Sequence, residues 1–135
     1  MISFTVPAVP VAQPRQRHTR NGLNYTPAQH PVNVFKASCR LAAHSVHTAP
    51  PFRQAICLTL LFVLPRPAAM IWKTKPMPRV SHSKKPDLDN LTKAVMDALS
   101  QLVWADDSQV TRLSATKVIA AGDESPHVRI KVEMA

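Results

Sequence analysis

Acidic residues are absent from the first 86 positions of this 135-residue chain, although those positions hold twelve of its 17 lysines and arginines. All eight acids fall in the last 49 positions, beginning with Asp87 and Asp89. The formal charge of +9 and the pI near 10.3 favour phosphate backbones or anionic membrane surfaces as partners. A cationic surface that meets two carboxylates so abruptly suggests a polyanion beside a bound metal ion. A basic protein with an ordinary helix start at Asp87 or Asp89 explains the same charges equally well.

Cysteine is scarce, and long hydrophobic runs are missing. Cys39 and Cys57 show no metal-binding spacing and form no disulfide framework, so we expect a protein of the reducing cytosol. The longest apolar run, Ile56–Leu64, is about half the length of a membrane-spanning helix. It predicts a buried strand, and we expect no membrane partner.

One domain spanning residues 1–135 is expected, because 45% of the chain is hydrophobic and its length suffices for a core. Alternation predicts strands at Ile2–Val6, at residues 110–120 and around Val128, Ile130 and Val132. The continuous apolar run Ile56–Leu64 predicts a strand at the centre of a sheet.

Two helices complete the predicted order. The first spans residues 32–47, with a buried face drawn from Val34, Phe35, Leu41 and Ala42. The second begins at Asp87, where apolar residues recur with helical spacing as far as position 102. The order β-α-β-α-β-β predicts an α+β fold with a mixed sheet and two main helices.

Two basic segments flank the predicted helices. Arg15, Arg17 and Arg20 lead into Asn21-Gly22, a dipeptide typical of a tight hairpin turn, so this segment is either a small basic ribbon or a flexible loop. The long proline-rich connection at 65–86 ends with Lys84 and Lys85, immediately before the first carboxylate. Connections of this length are usually functional or mobile.

Four carboxylates could form a metal site. Asp87 and Asp89 straddle a helix start, where free N–H groups and the helix dipole stabilise anions, and Lys93 follows one turn later on the exposed face. Asp106 and Asp107 lie in the turn before the next strand. If helix and strand pack side by side, the four carboxylates approach one another and require a cation. Oxygen ligands without histidine or cysteine favour Mg²⁺ or Mn²⁺.

Each of these features also has an ordinary structural explanation. Asp87 or Asp89 could simply cap the helix, Asp89 and Lys93 could form a surface ion pair, and Asp106-Asp107 could belong to a turn. Taken singly, the structural explanations are favoured. Taken together with the acid-free basic loop next to them, the metal site is favoured.

The chain resembles the RusA family of Holliday junction resolvases. The matching residues, in order, are His82-Ser83-Lys84-Lys85-Pro86-Asp87-Leu88-Asp89-Asn90-Leu91, Lys93, Asp97-Ala98-Leu99 and Asp106-Asp107-Ser108-Gln109-Val110. Upstream, Pro10-Val11-Ala12-Gln13-Pro14-Arg15 and Tyr25-Thr26-Pro27 look like the N-terminal basic segment of that family. The resemblance therefore covers nearly the whole chain and implies a RusA-like fold.

The resemblance also implies a function. It implies a homodimeric, Mg²⁺-dependent endonuclease that nicks four-way DNA junctions symmetrically, without a small-molecule cofactor. Asp87, Asp89 and Asp107 match the metal-binding acids of the family, Lys93 matches its essential lysine, and Asp106 matches the neighbouring acid, a further candidate ligand.

The sequence also suggests which residues bind DNA and leaves two alternative functions open. The cations expected to grip phosphates without reading sequence are Arg15, Arg17, Arg20, Lys84 and Lys85. One alternative is a flap, fork or general branched-DNA endonuclease that uses the same site. Another is a non-catalytic DNA-binding module whose acidic cluster is merely structural.

Overall fold

Seven strands and two α-helices form within residues 1–14, 17–18, 22, 24–25 and 29–135, which the computed structural model describes. The strands are β1 (Ile2–Val6), β2 (Arg17–His18), β3 (Asn24–Tyr25), β4 (Ile56–Leu64), β5 (Val80–Ser81), β6 (Val110–Ile119) and β7 (His127–Met134). The helices are α1 (Val32–Val46) and α2 (Leu88–Leu99), and short 3₁₀ turns occur at Ala68–Met70 and Asp107–Gln109. The predicted α+β order is confirmed, with β2, β3 and β5 as short additions.

The main sheet has five strands in the order β1-β7-β4-β6-β5. β4 lies at its centre, antiparallel to β7 and parallel to β6, and its bounds are those predicted from the apolar run. A parallel pair needs a long crossover, and the chain makes this one through α2. Residues 100–109 join the end of α2 to the start of β6, and Asp106 and Asp107 lie in the last part of this connection.

Both helices cover one face of the sheet. Alternate residues of β4 turn toward them, and Leu58, Leu60 and Phe62 are fully buried there. α2 contributes the apolar stripe that its sequence predicts, with Leu91, Val95, Ala98 and Leu99 buried in the same cluster. Burying such a stripe is the main source of stability for a helix of this length. No helix of the described residues is long and apolar enough to cross a membrane.

The predicted buried face of α1 is wrong for two of its four residues. Val34 and Leu41 are 72% and 74% exposed, whereas Phe35 is buried. The buried residues follow the helical period and are Val32, Phe35, Lys36, Cys39 and Ala43. Val34 and Leu41 are apolar, but they lie off this periodic stripe. The period also buries the stem of Lys36, whose Nζ lies 2.5 Å from Asp97 Oδ2 on α2.

The basic segment near the N-terminus contains a small ribbon in its described part. β2 and β3 pair antiparallel, with Arg17 opposite Tyr25, and Gly22 between them has a φ of 77°. Such a positive φ is easily adopted by glycine. Arg15 and Arg20 lie outside the described residues.

The connection at 65–86 is organised by Arg66. Its Nε donates to the carbonyl of Met70 at 2.7 Å, and its second nitrogen donates to the carbonyls of Pro78 and Ala120 at 2.9 and 3.2 Å. The guanidinium also lies over the ring of Trp72, 4.8 Å from its centre. These contacts fold the connection back on the sheet, where β5 pairs with the end of β6 and sends the chain toward Asp87.

Candidate active site

The first turn of α2 presents two exposed carboxylates. Asp87 occupies the N-cap position, and its carbonyl accepts a hydrogen bond from the backbone N–H of Leu91 at 3.1 Å. Within the described part of the chain, the Asp87 side chain makes no capping hydrogen bond. Asp89 accepts the N–H of Asn90 at 3.0 Å. Helix capping therefore does not account for the Asp87 carboxylate, which is left available to a ligand.

A groove between α2 and β6 brings several of the predicted residues together. Its volume is about 610 Å³, and its walls are apolar: Leu88, Thr92, Met96, Leu113 and Ala115. Its polar rim consists of Asp89, Lys93, Asp97 and Asp107. Two acids and the lysine predicted from the sequence thus face one space. Asp87 is not among the lining residues and lies two positions before Asp89, at the helix start.

Asp107 is held in place from below by Trp104. The indole is fully buried, and its Nε1–H donates to Asp107 Oδ1 at 2.8 Å. Trp104 also anchors the turn through its backbone, since its carbonyl accepts the N–H of Gln101. Sequence reasoning did not identify Trp104 as part of the site. One feature of the sequence could have indicated its role: Trp104 is one of two tryptophans in the chain and stands three residues before Asp107.

Asp106 has structural partners of its own. Its carboxylate accepts the backbone N–H of Ser108 at 3.0 Å and the hydroxyl of the same serine, and these hydrogen bonds hold the pKa of Asp106 below its ordinary value. Gln109 accepts the Asp106 N–H at 2.7 Å and donates to the carbonyls of Phe52 and Gln54 at 2.8 and 2.9 Å. Asp106 therefore caps the 3₁₀ turn, and its part in metal binding stays a prediction.

The donor set fits a hard cation. The groove is lined by the carboxylates of Asp89 and Asp107 and contains no histidine or cysteine among its described lining residues. Oxygen donors of this kind suit Mg²⁺ or Mn²⁺ better than zinc. In the described residues, however, no three metal-ligating side chains stand close enough to form a ready-made cluster. A metal that uses Asp87, Asp89 and Asp107 together therefore requires side chains to rotate from the positions seen here.

The cations near the site are only partly described. Lys84 and Lys85 are exposed in the loop that leads to Asp87. Arg17 is the first residue of β2. Burial lowers the pKa of His82, and the positive charge of Lys117 lowers it further. His82 is therefore neutral near pH 7 and adds no charge to this basic surface.

Comparison with known proteins identifies the family of the chain. The family model for endodeoxyribonuclease RusA matches residues 7–133, so the chain belongs to the RusA family of endodeoxyribonucleases, whose activity is the resolution of Holliday junctions. A relative in Bacillus subtilis strain 168, "Uncharacterized protein YqaN", is 30% identical over 137 residues, which cover 97% of this chain and 94% of the relative.

Replacing Asp107 by Ala is expected to destabilise the fold by about 1–3 kcal/mol, because the buried indole N–H of Trp104 loses its acceptor. Asp107→Asn keeps an oxygen at that position and should retain most of the stability. Urea unfolding of both variants measures the difference, with Asp123→Ala in an exposed turn as the control. Equal stabilities for Asp107→Ala and Asp107→Asn would show that the indole contact contributes nothing.

Proposed function

We propose that this protein is a Mg²⁺-dependent endonuclease that resolves Holliday junctions as a homodimer, by paired symmetric nicks. The observation that carries the proposal is the shared groove of Asp89, Lys93 and Asp107, in a chain of the RusA family. Two carboxylates line one groove of a protein with net charge +9, and one of them, that of Asp107, is held by the indole of Trp104. They are suited to binding a cation beside a DNA phosphate.

Asp87, Asp89 and Asp107 are the proposed ligands, with Asp106 as a further candidate. A bound Mg²⁺, or Mn²⁺ in its place, supplies a water of lowered pKa and neutralises charge at the scissile phosphate. Asp107 arrives already oriented by Trp104, whereas Asp87 and Asp89 project from the start of α2. The ligands come from two elements, so their spacing depends on how those elements pack.

Lys93 is the proposed electrostatic catalyst. It lies on α2 one turn after Asp89, is exposed, and borders the same groove. Its ammonium can therefore reach a phosphate held at the carboxylates and stabilise the negative charge that develops there.

The flanking DNA is proposed to lie along the two basic segments. In the sequence, Arg15, Arg17 and Arg20 belong to the N-terminal basic segment, and Lys84 and Lys85 stand directly before Asp87. Because no acid precedes Asp87, the upstream surface offers phosphates no carboxylate repulsion. Contacts of this kind position DNA without reading its sequence.

Asp89→Asn is expected to abolish cleavage of a four-way junction in Mg²⁺ while junction binding stays at least as tight. The substitution removes one ligand charge and leaves the side-chain shape unchanged. Cleavage is followed on a labelled synthetic junction, and binding is measured in EDTA. Asp123→Asn, which removes an equal charge in an exposed turn, is the matched control and should cleave normally. Normal cleavage by Asp89→Asn would end the metal-site proposal.

Paired nicking is tested with a supercoiled plasmid that extrudes a cruciform. Two subunits related by a two-fold axis match the symmetry of the junction and cut opposite strands. The wild-type protein should therefore linearise the plasmid, and mixing it with excess Asp89→Asn protein should yield nicked circles instead. Sedimentation of a monomer both alone and on a junction would contradict the dimer.

Equal cleavage of a replication fork and a four-way junction would favour the general branched-DNA alternative.

A further inference from the structure

Lys117 places a positive charge within an apolar row of β6. Ala115 and Ile119 lie two residues away on either side and share its face of the strand. In the parallel register Lys117 stands opposite Phe62, which is fully buried beneath the helices. Lys117 itself is half-buried, and its ammonium has partners within the protein.

Those partners lie in the loop that precedes α2. Lys117 Nζ donates to the carbonyl of Lys84 at 2.5 Å and to the carbonyl of Pro86 at 2.6 Å. These carbonyls belong to the residues three positions and one position before Asp87. The backbone of Lys117 also takes part, because its carbonyl accepts the N–H of His82 at 3.4 Å. A single residue of β6 is thus joined to the loop at three points.

The ammonium supports the part of the loop that lies between two regular elements. β5 ends at Ser81, which pairs with Val118, and α2 begins at Leu88. Residues 82–87 connect them and carry the exposed cations Lys84 and Lys85. An ammonium bound to backbone carbonyls holds such a segment without placing another carboxylate beside the DNA path.

We propose that Lys117 is a positioning residue, which fixes the loop at residues 83–86 and thereby orients Asp87 and Asp89 for metal binding. The part of this inference that concerns metal rests on the proposed function. The part that concerns loop order does not, because the three contacts join protein atoms only.

Three variants separate this role from others. Lys117→Met keeps the length of the stem but removes the ammonium, and Lys117→Arg keeps a cationic donor. Lys131→Met is the matched control, because Lys131 lies on β7 and its Nζ pairs with Glu133 at 3.0 Å. Urea unfolding confirms that each variant is folded before the other measurements are made.

Amide hydrogen exchange in the metal-free proteins tests the loop directly. Lys117→Met should raise exchange rates in the segment around residues 83–88 roughly tenfold, because an anchored segment opens less often than a free one. Lys117→Arg should restore most of the protection, and Lys131→Met should leave it unchanged. Unchanged exchange in Lys117→Met would overturn the proposal.

Calorimetric titration with Mn²⁺ alone tests the consequence for the carboxylates. Lys117→Met should bind Mn²⁺ about 10–100-fold more weakly, as is typical when a residue that orients metal ligands is lost. Its binding to a four-way junction in EDTA should equal that of Lys131→Met. Weaker junction binding with normal exchange and normal Mn²⁺ affinity would instead make Lys117 a phosphate contact, which overturns the proposal. Failure of the wild type to bind Mn²⁺ would count against the proposed function, while the exchange comparison still decides the role in the loop.

Discussion

The packing of α2 against β6 is the constraint on which the candidate site depends. The chain leaves the central strand β4, crosses through the basic connection and α2, and returns as β6 parallel to β4. This path places the start of α2 and the turn before β6 on the two sides of one groove. Asp89 and Asp107 are 18 positions apart in sequence. They line the same groove because the helix and the strand pack together.

Three residues support the acids of the candidate site and the loops that carry them. Trp104 binds the carboxylate of Asp107, Gln109 ties the following turn to residues 52 and 54, and Lys117 ties the loop before Asp87 to β6. Each of these residues donates a hydrogen bond and adds no negative charge. Together these contacts hold the carboxylate of Asp107, the 3₁₀ turn that contains it and the loop before Asp87.

The sequence predicted those elements whose patterns are strong and local. β4 is a continuous apolar run, and its bounds were predicted correctly. The start and the apolar stripe of α2 were predicted too, but the helix ends at Leu99, whereas the predicted stripe extended to position 102. The face of α1 was wrong in part, because Val34 and Leu41 are apolar but lie off the buried stripe. Apolar character alone does not decide burial, whereas the helical period does.

The roles of Trp104 and Lys117 could not be predicted from the sequence, for a different reason. A buried indole and a strand lysine have many ordinary uses, and only the tertiary contacts show which atoms they bind. The acidic pairs were easier to recognise, because carboxylates following a long acid-free stretch are unusual in themselves. The charge pattern therefore predicts the position of the candidate site, and the tertiary contacts show which residues support it.

Anomalous diffraction from crystals grown with Mn²⁺ is the most direct test of the central claim, that α2 and the turn before β6 together form one metal site. The account predicts a Mn²⁺ peak in contact with carboxylate oxygens of Asp89 and Asp107, with Asp87 turned toward it, at oxygen distances of about 2.0–2.2 Å, close to those of Mg²⁺. A peak bound to only one of these elements, or no peak at the groove at saturating Mn²⁺, would contradict it.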